Sequence, residues 1–509
     1  MQTAIHHFPV LIVVISLFSA ITILVAGWIN KKTPSFISIV TILAQFIASL
    51  LTLNHVLTKG PIHYWLGGWK PPWGIEYVVD VLNAYVLVIL LFLGLACAIY
   101  ARKSIEHELP HKTVSFYALY QLLITGLCGV TVTGDIFNMY VFIEIMSLSA
   151  YALIASRGRI ALKASFTYLV LGSVGACFFL LGIGFLYSVT GSLNMHDLSL
   201  LLPPLYGNKI VKAAFVLFIV GFSIKMAFFP LHTWLPDAHA FAPSEISAML
   251  SGIIIEVCTY SFIRLAFSVF TVDFIMLLPI FDILCWVAGI AIIVGSILAM
   301  TQLNLKRMLA YSSVANMGYI MLAVGLSTSS KNFPWCGLTP ALMHMLNHAL
   351  MKGCLFLVAG AFIYKADLWN IAELRGLGRK MPYTCAAFVI AAMSMIGIPP
   401  SVGFVSKLYI ILASLEAKKF VFVAILLVSS LLNLVYFWRV IETMYMKGKE
   451  GEEHSHTSIS SRDEIPFSML IPLLTLASLC IVMGVLWLAG ITIPILDKVN
   501  AMFGLAVIR

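Results

Sequence analysis

Stretches of about 20 apolar residues, separated by short polar or glycine- and proline-rich turns, recur along nearly the whole chain. A bilayer core about 30 Å thick needs about 20 apolar residues to be crossed by a helix. Each stretch therefore predicts a spanning helix, and fourteen are counted, near residues 8–28, 35–57, 77–101, 114–134, 136–156, 164–189, 210–229, 246–269, 276–300, 307–326, 339–364, 383–415, 420–445 and 466–489. The twelfth is long and interrupted by GIPPSVG, Gly397 to Gly403. WLGGWKPPWG after the second stretch and LLPPLYGNK before the seventh read as turns. One longer polar segment, Lys447 to Glu464, is acidic and contains two histidines; it is expected to be a mobile loop.

Composition narrows the class further. Of the 509 residues, 61% are hydrophobic and 10% charged, and the mean hydropathy is +1.00. No water-soluble fold hides so much apolar surface, so the fold class is an all-α polytopic membrane protein. The first 28 residues have no basic n-region or small-residue cleavage site, so they read as a retained span. The nine cysteines are scattered, without a CxxC pair, and read as small core hydrophobes, with no cluster or zinc to hold. No GxxxxGK[ST] or GxGxxG signature is present to cradle a nucleotide phosphate. No cofactor is expected in this chain.

The net charge of +9 comes from basic residues in short loops, which speaks for membrane topology and against a nucleic-acid partner. One alternate set of loops carries 17 Lys and Arg, the other 9, and five lie inside spans. Basic loops stay cytoplasmic, so both termini are expected outside, in a prokaryotic cytoplasmic membrane.

The stretch that stands apart is GFSIKMAFFPLHTWLPDAHAFAPSE, Gly221 to Glu245. Lys225 sits deep in an apolar run and is followed by Pro230, His232, Pro236 and His239. A lysine at the bilayer centre costs roughly 2.5–3.5 kcal/mol on insertion scales. Proline removes a backbone donor, and freed backbone groups are tolerated in lipid only where protein or a wet cavity satisfies them. The combination points to an ion pathway; the plainer alternative is a lysine snorkelling to the interface. A second proline break near Pro400 has Lys407 close by, about 170 residues on. The breaks are five spans apart, an odd offset that inverts topology, as in transporters built from inverted repeats. Lys225 precedes its proline, however, whereas Lys407 follows Pro400.

Other ionisable residues fall within spans. Glu144 is mid-span, too short to snorkel, and Lys225 is its natural partner, as a coupled pair or as a static one. His344, His348 and Lys352 are spaced i, i+4, i+8 and share a helix face, drifting about 40° per step. Histidine titrates near neutrality, which suits proton transfer; this span has no carboxylate for a metal site. Asp80, Asp282 and Glu442 lie nearer span ends, where water is close, and Arg439 reads as an interface anchor. Glu256 shares its helix with Arg264, two turns along. It is open to a static pair with Arg264, a pair with Lys225, or a sodium ion held with hydroxyl and carbonyl oxygens.

FIEIMSL around Glu144, SIKMAFFPLHTWLPDAHAFAPS, LKRMLAYSSVANMGY, HMLNHALMKGCLFLVAG and IGIPPSVGFVSK together resemble the antiporter-like subunits shared by respiratory complex I, Mrp cation/proton antiporters and membrane-bound hydrogenases. The resemblance spans roughly residues 75–445. It implies about fourteen transmembrane helices, broken in the seventh and twelfth, with two inverted five-helix repeats. On that plan residues 1–112 hold helices one to three, 113–270 the first repeat, 271–446 the second, 447–465 a polar cytoplasmic loop, and 466–509 helix fourteen and a tail.

By motif, Glu144 takes the place of the family's helix-five glutamate, Lys225 its helix-seven lysine, His348 its helix-eleven histidine and Lys407 its helix-twelve lysine. A lysine at that last place resembles the D-type subunit of Mrp antiporters more than complex I subunits with glutamate there. Two departures stand out: Glu256 where the family commonly has a lysine, and Asn316 where it often has histidine.

The expected pathway residues are Glu144, Lys225, His232, His239, Glu256, His344, His348, Lys352 and Lys407. The resemblance implies a proton- or sodium/proton-translocating subunit working with other membrane subunits, further antiporter-like ones among them, and with a soluble redox arm of hydrogenase, sulfur reductase or quinone reductase type. The alternatives are the D-type subunit of a stand-alone Mrp antiporter, a self-sufficient transporter for a small substrate, and a passive hydrogenase anchor. The loop-charge asymmetry has a direct check. A cysteine placed at Ser458 is expected to react with an impermeant reagent only from the cytoplasmic side, and labelling of intact cells would reverse the topology.

Overall fold

In lipid every backbone N–H and C=O must be bonded within the protein, so apolar stretches of this length fold as helices. The computed structural model describes residues 5–329, 337–446, 464–491 and 494–505. The polar loop, at 447–463, and Cys336 lie outside the described residues. The long helices are α1 (Phe8–Ile29), α2 (Thr33–Lys59), α3 (Val81–Glu108), α4 (Thr113–Val132), α5 (Ile136–Ala155) and α6 (Arg159–Thr190). There follow α7 (Lys209–Lys225), α8 (Leu235–Phe241) and α9 (Ser244–Val269), the last containing two π-helical turns, Leu250–Ile254 and Leu265–Val269. The second half consists of α10 (Ile280–Thr301), α11 (Leu305–Leu326), α12 (Thr339–Ala366), α13 (Pro382–Ile396), α14 (Val402–Glu416), α15 (Phe420–Tyr445) and α16 (Phe467–Leu488).

Twelve helices among the described residues are long and apolar enough to cross a membrane. The other two expected spans, the seventh and twelfth, are each broken in two: α7 stops at Lys225 and α8 starts at Leu235, while α13 stops at Ile396 and α14 starts at Val402. At the second break Gly397 takes a left-handed φ of 94°, and its N–H closes the end of α13 on Met393 O at 3.0 Å. At the first, Ala227 holds φ at 51°, a conformation that costs a residue with a Cβ roughly 1–2 kcal/mol.

The third expected span needs a correction at its start. Residues 62–79 form a hairpin of β1 (Ile62–Trp65) and β2 (Glu76–Val79), pairing Ile62 with Val79 and Trp65 with Glu76. The helix begins only at Val81, because Asp80 caps it: its carboxylate accepts from Leu82 N and Asn83 N at 3.0 and 3.3 Å, and Asn83 Oδ1 accepts from Asp80 N at 2.6 Å. Asp80 is thus a structural cap, largely buried but lining a cleft with His63, Ser199 and Asp273.

Burial grades from centre to rim. Helices α9, α11 and α12 are almost wholly buried, whereas α1, α2 and α15 expose most of their apolar side chains, as lipid-facing helices do. Of the described cysteines, all but Cys177 are buried, as small core hydrophobes. Arg439, half-buried, donates to Met300 O and Gln302 O at 2.9 and 2.6 Å, closing the C-terminal end of α10.

Helices α6 and α7 pack at glycine. A Cβ added at Gly221 would lie 2.8 Å from Gly175 O and 3.2 Å from Phe179 N, whereas one at Gly184 meets nothing within 4 Å. Gly221→Ala is therefore expected to destabilise by about 1–3 kcal/mol, and Gly184→Ala to be neutral or slightly stabilising. Thermal unfolding of the two variants side by side checks this.

Candidate functional site

The first cluster forms where α7 ends. Lys225 is its last residue, with 3% of its side chain exposed; its Nζ donates to Glu144 Oε1 on α5 at 3.1 Å and to Ser147 Oγ at 2.8 Å. Glu144 is more open, at 26%. The break beyond is held by Trp234, whose indole N–H donates to Ile224 O at 2.9 Å and whose ring stacks on Tyr168 at 3.8 Å. His232, inside the break, is buried with Nδ1 unpartnered and its ring beside Phe229. His239 on α8 is fully buried, stacks on Phe356 of α12 at 4.5 Å, and has neither ring nitrogen bonded.

The second cluster joins the two halves of the chain. Glu256 Oε1 on α9 lies 2.6 Å from His348 Nδ1 on α12, both groups being buried. The static pair of Glu256 with Arg264 does not occur. Arg264 pairs instead with Asp80 Oδ2 at 2.6 Å and donates to Tyr260 Oη at 3.3 Å. Eight residues of helix carry Arg264 about 12 Å along α9, to the level of the Asp80 cap. Glu256 does not meet Lys225 either, whose ammonium is taken by Glu144 and Ser147. Among the described residues no group of three or more His, Cys, Asp and Glu is placed to hold a metal ion.

From His348 the polar face of α12 continues in both directions. Lys352 Nζ donates to Leu309 O at 2.7 Å and to Ser312 Oγ on α11. Asn316, one turn on, donates to Ser312 O at 2.6 Å, and its Oδ1 lies 3.1 Å from His344 Nε2. His344 Nδ1 is in turn 2.9 Å from Ser406 Oγ on α14. Asn316, the departure from the family's histidine, thus links Ser312 to His344.

Lys407, next to Ser406, donates to Met395 O and Ile396 O at 2.7 and 3.1 Å, and lies 4.9 Å from the centre of the Tyr319 ring. These are the last two residues of α13, whose carbonyls have no partner within their own helix. The two lysines flank their prolines from opposite sides in sequence and differ in use: Lys407 bonds the last carbonyls of a broken helix, whereas Lys225 ends its helix and turns to Glu144 and Ser147.

Sequence reasoning missed the partners that complete these contacts: Ser147, Ser312, Ser406 and Asp80. Ser147 had a signal, standing one turn after Glu144 on the same face. The others come from distant helices and had none.

A helical bundle with two spans broken beside lysines, and with acidic and basic side chains paired inside it, is an antiporter-like membrane subunit. The chain belongs to the family described as "NADH:quinone oxidoreductase/Mrp antiporter, TM", whose profile matches residues 133–433. It is 44% identical over 485 residues to the N-type subunit of NADH-quinone oxidoreductase from Desulforudis audaxviator, covering 94% of this chain and 95% of that one. It is 30% identical over 453 residues to the D-type subunit of the Na(+)/H(+) antiporter from Bacillus subtilis, covering 89% and 90%. A chain of an archaeal membrane-bound sulfane sulfur reductase superposes with a TM-score of 0.86 at 31% identity, each chain covered to 97%. A chain of the Mrp complex from Dietzia shares the fold, with a TM-score of 0.85 at 24% identity, covering 97% and 96%.

The two buried acidic groups make a contrast in stability. Arg264→Ala strands the Asp80 carboxylate and is expected to cost about 3–5 kcal/mol. Glu256→Gln keeps a hydrogen-bonding partner for His348 and is expected to cost less than Arg264→Ala in the same denaturation experiment.

Proposed function

We propose that this chain is a proton-translocating subunit of a larger energy-transducing complex in a prokaryotic cytoplasmic membrane. It has fourteen transmembrane helices, the broken seventh and twelfth included, arranged as two inverted five-helix repeats, with both termini outside. The observation that carries the reading is the Glu256–His348 contact at 2.6 Å. It joins an acid of the first repeat to a base of the second, inside a series that runs from Glu144 and Lys225 to Lys407. Nearly every group along it exchanges protons, and each change of charge alters the proton affinity of its neighbour. Sodium, the second candidate ion, calls for several oxygen ligands, whereas Glu256 meets an imidazole.

Moving a charge against the membrane potential costs about 2.3 kcal/mol per 100 mV, and this chain is assigned no cofactor, so the energy enters through partners. The likeness to a sulfane sulfur reductase and to the N-type subunit of NADH-quinone oxidoreductase supports a redox arm of sulfur reductase, hydrogenase or quinone reductase type. The identity to the D-type subunit of the Bacillus subtilis antiporter supports the second reading, a stand-alone Mrp-type sodium/proton antiporter. The proteins that co-purify with the chain separate the two.

In reconstituted complex, Lys225→Ala, Glu144→Ala and Lys407→Ala are expected to assemble normally and to lose ion transport by about 100-fold; full transport in all three would remove the series from the pathway. Glu256→Gln is expected to impair transport without loss of assembly, and Glu256→Lys to be tolerated better than Glu256→Leu. Normal pumping by Glu256→Leu would place that residue outside the route.

A further inference from the structure

One buried polar region is left unused by the series above. Where α8 gives way to α9, Glu245 is completely buried and its carboxylate pairs directly with no cation; the donors beside it are the Ser104 hydroxyl on α3 and its own backbone N–H. The hydroxyl of Ser244 next to it is buried and unbonded. Buried polar atoms are normally bonded. The charged groups facing Glu245 are Glu108, Arg157 and Lys306, and Cys97 and Tyr100 of α3 and Tyr117 and Tyr120 of α4 are its other titratable neighbours.

Glu108 and Arg157 lead outward. Glu108 Oε2 is 3.2 Å from Arg157 Nη2. Both residues line a cleft of about 510 Å³, together with His107, Tyr364, Lys365 and Asp367. This is the end of the bundle that carries the basic loops. Arg157 is fixed there by three contacts: Glu108, Ala242 O at 3.2 Å, and the Trp369 ring, 4.6 Å from its guanidinium carbon.

Lys306 and His239 lead inward. Lys306 is buried, donates to Ala242 O at 2.6 Å, and faces Glu245, Glu108 and Arg157. It is also a charged neighbour of His239, whose other such neighbour is Lys352. Lys352 adjoins His348. A purely structural carboxylate would be expected to pair directly with one of the two cations beside it. Here Arg157 is taken by Glu108 and Lys306 by a carbonyl, and Glu245 between them has only the Ser104 hydroxyl and its own backbone N–H beside it.

We propose that Glu245 is the carboxyl that takes protons from the cleft and passes them, beside Lys306, to His239 and so to Lys352 and His348. The Glu108–Arg157 pair stands between the cleft and Glu245 and positions that carboxyl. In the step itself a proton leaves cleft water for a Glu245 oxygen and then leaves that oxygen towards His239, past Lys306, the charged neighbour of both; only O–H and N–H bonds form and break. The proposal rests on the relay reading under "Proposed function", and its test separates the two.

Transport is measured in proteoliposomes holding the whole complex, with pH varied on one face at a time. Glu245→Gln is expected to assemble and to lose transport on the order of 100-fold, with Glu245→Asp retaining more. Glu108→Gln is expected to keep the maximal rate but to need a lower pH for half-maximal transport on the basic-loop face, with no change on the other. A full rate in Glu245→Gln, while Lys225→Ala is inactive, would place proton entry elsewhere. Failure of Glu245→Gln and Glu245→Asp to assemble, with an unshifted pH profile in Glu108→Gln, would make the carboxyl structural. Full transport in Lys225→Ala would strike the relay reading itself.

Discussion

A helix broken inside a membrane frees backbone groups that lipid cannot bond, and this chain breaks two. A lysine stands at both breaks, but only the second uses its lysine to bond freed carbonyls. Lys407 reaches back to the last carbonyls of α13, where the helix dipole also favours a cation. Lys225 ends α7 itself and turns to Glu144, while Trp234 bonds the neighbouring carbonyl of Ile224. The prolines, the lysines and their partners thus form one arrangement. A cation held by carbonyls, a hydroxyl or one half-open carboxylate can lose its proton without the surrounding helices having to unfold.

The centre of the molecule depends on a different contact. Glu256 and His348 are both buried, and each is the other's partner across α9 and α12. Each also keeps one unbonded atom, Glu256 Oε2 and His348 Nε2. A pair with spare valence on both sides can receive a proton at one atom and release it from another. The first π-helical turn of α9 ends just before Glu256; such widened turns often occur at functional sites.

The two ends of the bundle are tied differently. At one end Arg157, which follows the helix bearing Glu144, clamps the neighbouring connections through Glu108, Ala242 and Trp369. At the other, the β-hairpin places Glu76 against His63, Trp65 and Asn194, and Asp80 caps α3 while holding Arg264.

Span positions, the two breaks and the depth of the central charges were legible in the chain, because they depend on local quantities: hydropathy over about 20 residues, proline chemistry and helical spacing. The pairing of Lys225 with Glu144 was legible too, since a mid-span carboxylate and a mid-span lysine have few other partners. The start of the third span was not, because a short hairpin with apolar strands has the same composition as helix. Nor were the partners of Glu256, Arg264 and Lys407. Glu256 and His348 are 92 residues apart, and Arg264 and Asp80 are farther. Which acid meets which base there is decided by how the helices rotate and slide against one another, through contacts such as Gly221 on Gly175, and no local pattern encodes that register.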